Sequence, residues 1–137
     1  MERFVSVAAP EAIWGILADV EHWSAWTPTV SGIVALSDGG LKTGARYRVT
    51  QPKLRPAVYE VTECVANEAF TWVQRFPGGE MIADHRLKRV EGGTEVELSF
   101  ATRGLVGWLV GLVYSKLIRD YVATEARSLK RRSDGMV

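Results

Sequence analysis

The chain is short of the residue types that most often announce a function. Its single cysteine, Cys64, excludes an intrachain disulfide and fits a reducing, cytoplasmic setting. It has two histidines, His22 and His85, far apart in sequence, so zinc-ligand spacing is missing and no metal is expected. No phosphate loop, nucleophile elbow or HExxH motif occurs, and no cofactor is expected. Charge of one sign is lacking too. With 17 Lys and Arg against 16 Asp and Glu, the formal net charge of +1 gives no global field for nucleic acid or an anionic surface. The longest apolar run, "GLVGWLVGLVY" (104–114), falls well short of the roughly 20 residues that span a bilayer. The opening "MERFVSVAAP" has no apolar stretch of signal-peptide length. Repeats, linkers and low-complexity tracts are absent, so one domain over 1–137 is expected, as a monomer or homodimer.

What is present is a sequence of strands between helices. "RFVSV" (3–7) reads as a strand. In "APEAIWGILADV", Pro10 suits a first helical turn, Glu11 favours the helix dipole, and Ile13, Ile16, Leu17 and Val20 keep the helical period. Asp19 is placed to cap a second short helix that carries Trp23 and Trp26 and stops at Pro28. From about residue 30 to 102 six strands follow, separated by "DGG", "PKLRP", "ANE", "PGG" and "EGG". Gly pairs and short connections indicate an antiparallel meander. A long helix, about 105–132, ends the chain, with Leu117, Ile118, Tyr121, Val122 and Leu129 on one side of its second half. The basic cluster "SLKRRSDG" is a solvated helix end; without interleaved aromatics it gives no nucleic-acid surface.

Register assigns the faces. A turn at Gly92-Gly93 sets His85 opposite Phe100, Leu87 opposite Leu98 and Arg89 opposite Val96, with Lys88 against Glu97 on the other side. A turn at Gly78-Gly79 sets Trp72 opposite His85 and Phe70 opposite Leu87. Alternation then gathers Tyr47, Val49, Tyr59, Val61, Trp72, His85, Leu87 and Phe100 on one concave face. One helix cannot cover a curved sheet of seven strands, so a gap remains that is either filled or left as a cavity. The short helices plug one end of that wedge, with Trp23 and Trp26 at or near its rim, or simply anchoring a short helix.

These features resemble the helix-grip superfamily of polyketide cyclases, pathogenesis-related allergens and START-like lipid-transfer domains (SRPBCC). The carriers are the opening "VSVAAPEAIWGILADVEHWSAWTPTV", then "QPKLRPAVYEVTE", "FTWVQRFPGG" and "ADHRLKR", and the final "GLVGWLVGLVYSKLIRDYVATEARSLK". The opening is similar to a bacterial branch of polyketide-cyclase-like proteins. The resemblance implies an α+β fold: a seven-stranded antiparallel sheet gripping the C-terminal helix around an apolar cavity. It supplies no reaction, since this scaffold hosts binders, carriers, cyclases and hydrolases.

His85 is the strongest polar candidate, either reaching into the cavity toward a ligand or satisfied as an interior histidine. Asp84 cannot be its partner, because adjacent strand residues face opposite sides. Glu63 is expected on the concave face near one end of the sheet, as a general base or a wetted rim residue. Tyr47 and Tyr59 are potential hydroxyl donors, or core aromatics with hydrated tips. Trp108 and Leu112 are expected to line the lid side, with Lys116 at the mouth. Gly107 and Gly111 are expected to permit close packing on the sheet or leave cavity room. The expected ligand-binding set is therefore Trp26, Tyr47, Tyr59, Val61, Trp72, His85, Leu87, Phe100, Trp108 and Leu112. The leading function is binding or carriage of a small apolar or amphipathic molecule. The alternatives are a cyclase or dehydratase with His85 as its acid–base group, and a protein-partner module using exposed Trp23 and Trp26.

Overall fold

A computed structural model describes all residues, Met1–Val137. The strands are β1 (Glu2–Ser6), β2 (Gly32–Ala35), β3 (Arg46–Thr50), β4 (Ala57–Val65), β5 (Ala69–Phe76), β6 (Gly79–Val90) and β7 (Gly93–Arg103). They form one antiparallel sheet in the order β1-β7-β6-β5-β4-β3-β2. Between β1 and β2 lie α1 (Pro10–Ala18) and a 3-10 helix (Val20–Ala25); after β7 come α2 (Leu105–Val113) and α3 (Ser115–Asp134).

Helix α1 starts at Pro10 and buries Ile13 and Leu17, while Glu11 reaches Arg89 at 2.8 Å. Asp19 does not cap the 3-10 helix. Its carboxylate is taken by His22 Nδ1 at 2.7 Å, an exposed pair that raises the His22 pKa.

The long C-terminal helix is broken. Tyr114, at φ −101° and ψ 13°, separates α2 from α3, although Tyr114 N–H still donates to Val110 and Ile118 N–H to Tyr114. The glycines of α2 bring it down onto the sheet. A Cβ on Gly107 would meet the Glu80 carbonyl at 3.2 Å, and one on Gly111 would meet Thr102 at 3.0 Å. They serve close packing.

Both predicted hairpin registers are off by two residues, and the faces survive. The pairs are Phe76 with Gly79 and Val90 with Gly93, so the turns are Pro77-Gly78 and Glu91-Gly92. Proline followed by a glycine at φ +85° is the chemistry of a type II turn. The second glycine of each pair has a different duty. A Cβ on Gly79 would strike the Gly107 backbone nitrogen, and one on Gly93 would strike the Ser6 carbonyl. In consequence His85 lies opposite Leu98 and Phe70, Leu87 opposite Val96, and both Trp72 and Phe100 opposite Ala83.

The core sits between the concave face, α1 and the 3-10 helix. Trp23 is its hub: 2% exposed, it donates from Nε1 to the Leu17 carbonyl at 3.0 Å. Its ring meets those of Trp26, Phe70, Trp72 and His85 at centroid distances of 5.2–6.1 Å. It is therefore no exposed patch, and the geometry for a tryptophan docking surface is missing. At the other end of the fold α3 is clasped to β1. Buried Ser6 and Ser133 share a hydroxyl bond of 2.7 Å, and Asp134 accepts from Ser6 Oγ, Val7 N–H and Lys130 Nζ.

Candidate functional site

A cavity of about 610 Å³ lies between the concave face and the two C-terminal helices. Of its 26 lining residues 17 are hydrophobic, and its volume falls within the usual range for small-molecule sites. Tyr59, Trp72, Leu98 and Phe100 form the sheet wall; Val110, Tyr114, Ile118 and Val122 form the helix wall. Trp23 closes the inner end, and the 51–56 loop stands at the mouth with Lys53 and Arg55. Tyr121 ties that loop to α3 by donating its hydroxyl to the Pro52 carbonyl.

The polar groups converge around His85. Its ring is stacked on Phe70, with centroids 4.0 Å apart, and is edge-on to Trp23 and Trp72. His85 Nδ1 lies 3.2 Å from the Phe70 carbonyl, an acceptor only, so Nδ1 carries a proton. That leaves Nε2 directed at Glu125, whose Oε1 is 3.6 Å away. The separation is beyond hydrogen-bond length, so a ligand atom can compete for either group. Tyr59 lines the same cavity, its ring 5.2 Å from that of Trp72. Burial, with a smaller contribution from the Glu125 charge, pushes its pKa up to about 12. The phenol therefore stays a neutral donor throughout the physiological range.

The structure brings together Tyr59, Trp72, His85 and Phe100 of the expected set, all on this cavity. Tyr47, Val61 and Leu87 share the face but are packed into the core: Tyr47 stands beside Trp72 at 6.0 Å, and burial raises its pKa. Trp108 and Leu112, 59% and 60% exposed, do not line the lid, because Gly107 and Gly111 turn the opposite side of α2 to the sheet. Lys116 is likewise outside the lining. Glu63 is on the convex side. A bulge between Val61 and Glu63 shifts the register there, and Glu63 pairs with Arg86 at 3.4 Å. Asp84 is held on that side by Thr71 and Arg86.

Trp26 lines a different depression, an open groove of about 920 Å³ bounded by α1, the 3-10 helix and the end of α3. Only 5 of its 12 lining residues are hydrophobic, and it holds none of the convergent groups around His85. The Trp26 Nε1 is buried without a partner. No group of three His, Cys, Asp or Glu side chains is placed to hold a metal.

Sequence reasoning missed Glu125. The signal was available: 114, 118, 121, 122 and 125 fall on one helical stripe, and a carboxylate on an otherwise apolar stripe marks an inward polar group.

A sheet gripping C-terminal helices over an apolar cavity defines the helix-grip fold of the SRPBCC superfamily. Residues 1–134 match the family described as polyketide cyclase / dehydrase and lipid transport, and the chain belongs to that family. Among solved structures it is similar to TTHA0849 from Thermus thermophilus (TM-score 0.76, 15% identity, 96% of this chain and 94% of that one). Protein NE0264 from Nitrosomonas europaea is similar as well (TM-score 0.73, 15% identity, 95% and 90% covered). A third is the di-domain ARO/CYC StfQ of the steffimycin biosynthetic pathway (TM-score 0.72, 8% identity, 97% of this chain). This chain spans 44% of StfQ. At these identities the likeness is one of fold. No curated protein matches the chain in sequence.

Proposed function

We propose that the protein binds or carries one small apolar or amphipathic molecule, a lipid, quinone or aromatic metabolite, in the cavity before α2 and α3. The observation that carries this reading is the 610 Å³ space itself, with apolar walls and the His85–Glu125 pair inside it. Apolar area drives such binding, at about 25 cal/mol per Å² before ordering costs. The family description, which includes lipid transport, supports it. Tyr59, Trp72, His85 and Phe100 form the sheet side of the binding set, and Val110, Tyr114, Ile118 and Glu125 the helix side. The test is fluorescence titration with naphthylphenylamine, an uncharged apolar probe. Wild-type protein is expected to take it up saturably at one site, and Ala83→Phe, which narrows the cavity, to weaken uptake at least about tenfold. Absence of saturable uptake by a folded wild-type protein overturns the reading.

One observation favours a second reading, acid–base catalysis of the cyclase or dehydratase type. The histidine has a carboxylate 3.6 Å from Nε2 and a neutral phenol in the same cavity. In that role Nε2 accepts a substrate proton, Glu125 stabilises the resulting imidazolium, and Tyr59 donates to the developing oxyanion. The two readings separate at Glu125→Gln and His85→Ala. A carrier keeps its cargo with altered affinity, whereas an enzyme keeps binding and loses turnover.

A further inference from the structure

Helix α2 presents its most apolar residues to solvent. Leu105 and Val113 are 74% exposed, Trp108 and Leu112 nearly as open, and Leu109 is exposed as well. No charged residue occurs from Gly104 to Ser115. On a globular surface a contiguous apolar patch marks an interaction site. The opposite side of the same helix is accounted for, since Gly107 and Gly111 seat it on the sheet and Val110 faces the cavity.

The charges around this face are one-sided. Lys53 and Arg55 belong to the cavity-lining loop that Tyr121 ties to α3, and Lys116 and Arg119 occupy the first turns of α3. None of the four is in an ion pair. Arg103, just before α2, is committed to Glu80 at 3.1 Å, and Asp120 is the one acid in the first two turns of α3. An apolar helix face carrying a tryptophan and flanked by free cations has the composition of an interfacial helix on an anionic bilayer.

We infer that α2 docks on the surface of an anionic lipid bilayer, lying in the headgroup region with Trp108, Leu112 and Val113 inserted. The face leads directly to the cavity, because Val110 and Tyr114 line the space behind it and Lys53 and Arg55 border its opening. A second copy of the chain is a poorer occupant. In a symmetric pair the unpaired cations of both copies would face one another, whereas anionic headgroups neutralise them. No helix is long and apolar enough to cross a membrane, so the contact is with the surface.

The test is co-sedimentation of the full chain with vesicles of phosphatidylcholine, alone and mixed with phosphatidylglycerol. Binding to the mixed vesicles is expected, weakening as salt is added. Leu112→Asp, at an open position, is expected to weaken binding at least about tenfold. It leaves thermal unfolding and naphthylphenylamine uptake unchanged, so failure here is distinguishable from failure of the cavity reading. Lys116→Glu combined with Arg119→Glu removes the preference for phosphatidylglycerol. No sedimentation with either vesicle, or equal sedimentation of wild type and Leu112→Asp, overturns the inference. So does lipid-free self-association that Leu112→Asp abolishes, which assigns the face to a second copy.

Discussion

The two ends of the C-terminal helical segment are built on opposite principles. The far end of α3 is locked: Leu129 is fully buried, Ser133 bonds to Ser6 inside the protein, and Asp134 and Lys130 close over β1. Helix α2, at the other end, rests on the sheet through two glycines and turns its large side chains outward. Between them the break falls at Tyr114, which lines the cavity. A grip whose large side chains are buried at one end and exposed at the other is suited to admitting a ligand without loss of the fold.

Substitutions at the two ends test this contrast. The largest effect is expected for Leu129→Ala at the locked end, about 2–5 kcal/mol of stability by chemical denaturation. Ser133→Ala removes one partner of a buried hydroxyl pair and is expected to cost about 1–3 kcal/mol. The Asp134 contribution depends on pH. The Lys130 ammonium first, then the Val7 N–H, hold its carboxyl below the ordinary aspartate value of 3.8. Its stabilisation is thus complete above that value and lost as pH falls through the lowered pKa. Asp134→Asn is expected to remove this part of the acid dependence in a series of melts at decreasing pH. Smallest of all is Leu112→Asp at the open end, within about 0.5 kcal/mol of wild type. Hydrogen exchange compares the ends directly: α2 amides are expected to exchange faster than those of α3 from Ala126 to Ser133. Equal protection would contradict the contrast.

The sheet was legible in the sequence because period-2 alternation and glycine turns are local signals. The concave face was legible even though the pairings were not. Moving a turn by one residue shifts each partner by two, which preserves the side on which every residue points. What misled the register was the doubled glycine: Gly78 and Gly92 make the turns, whereas Gly79 and Gly93 make room for Gly107 and Ser6. That second need comes from elements distant in sequence, and no local pattern shows it. The placement of Glu63 failed for a related reason, a bulge that local alternation does not reveal. The lid residues failed because α2 is apolar nearly all round, so its pattern alone does not say which side faces the sheet. Gly107 and Gly111 say it only once Glu80 and Thr102 are known to lie beneath them.

A ligand held in the space beside His85 would be detected by native mass spectrometry of the protein taken gently from its own host, followed by organic extraction. A stoichiometric apolar adduct is expected in wild type, depleted in Ala83→Phe and retained in Leu112→Asp. A bare mass for wild type, or an adduct that Ala83→Phe leaves untouched, would rule out a ligand in this cavity.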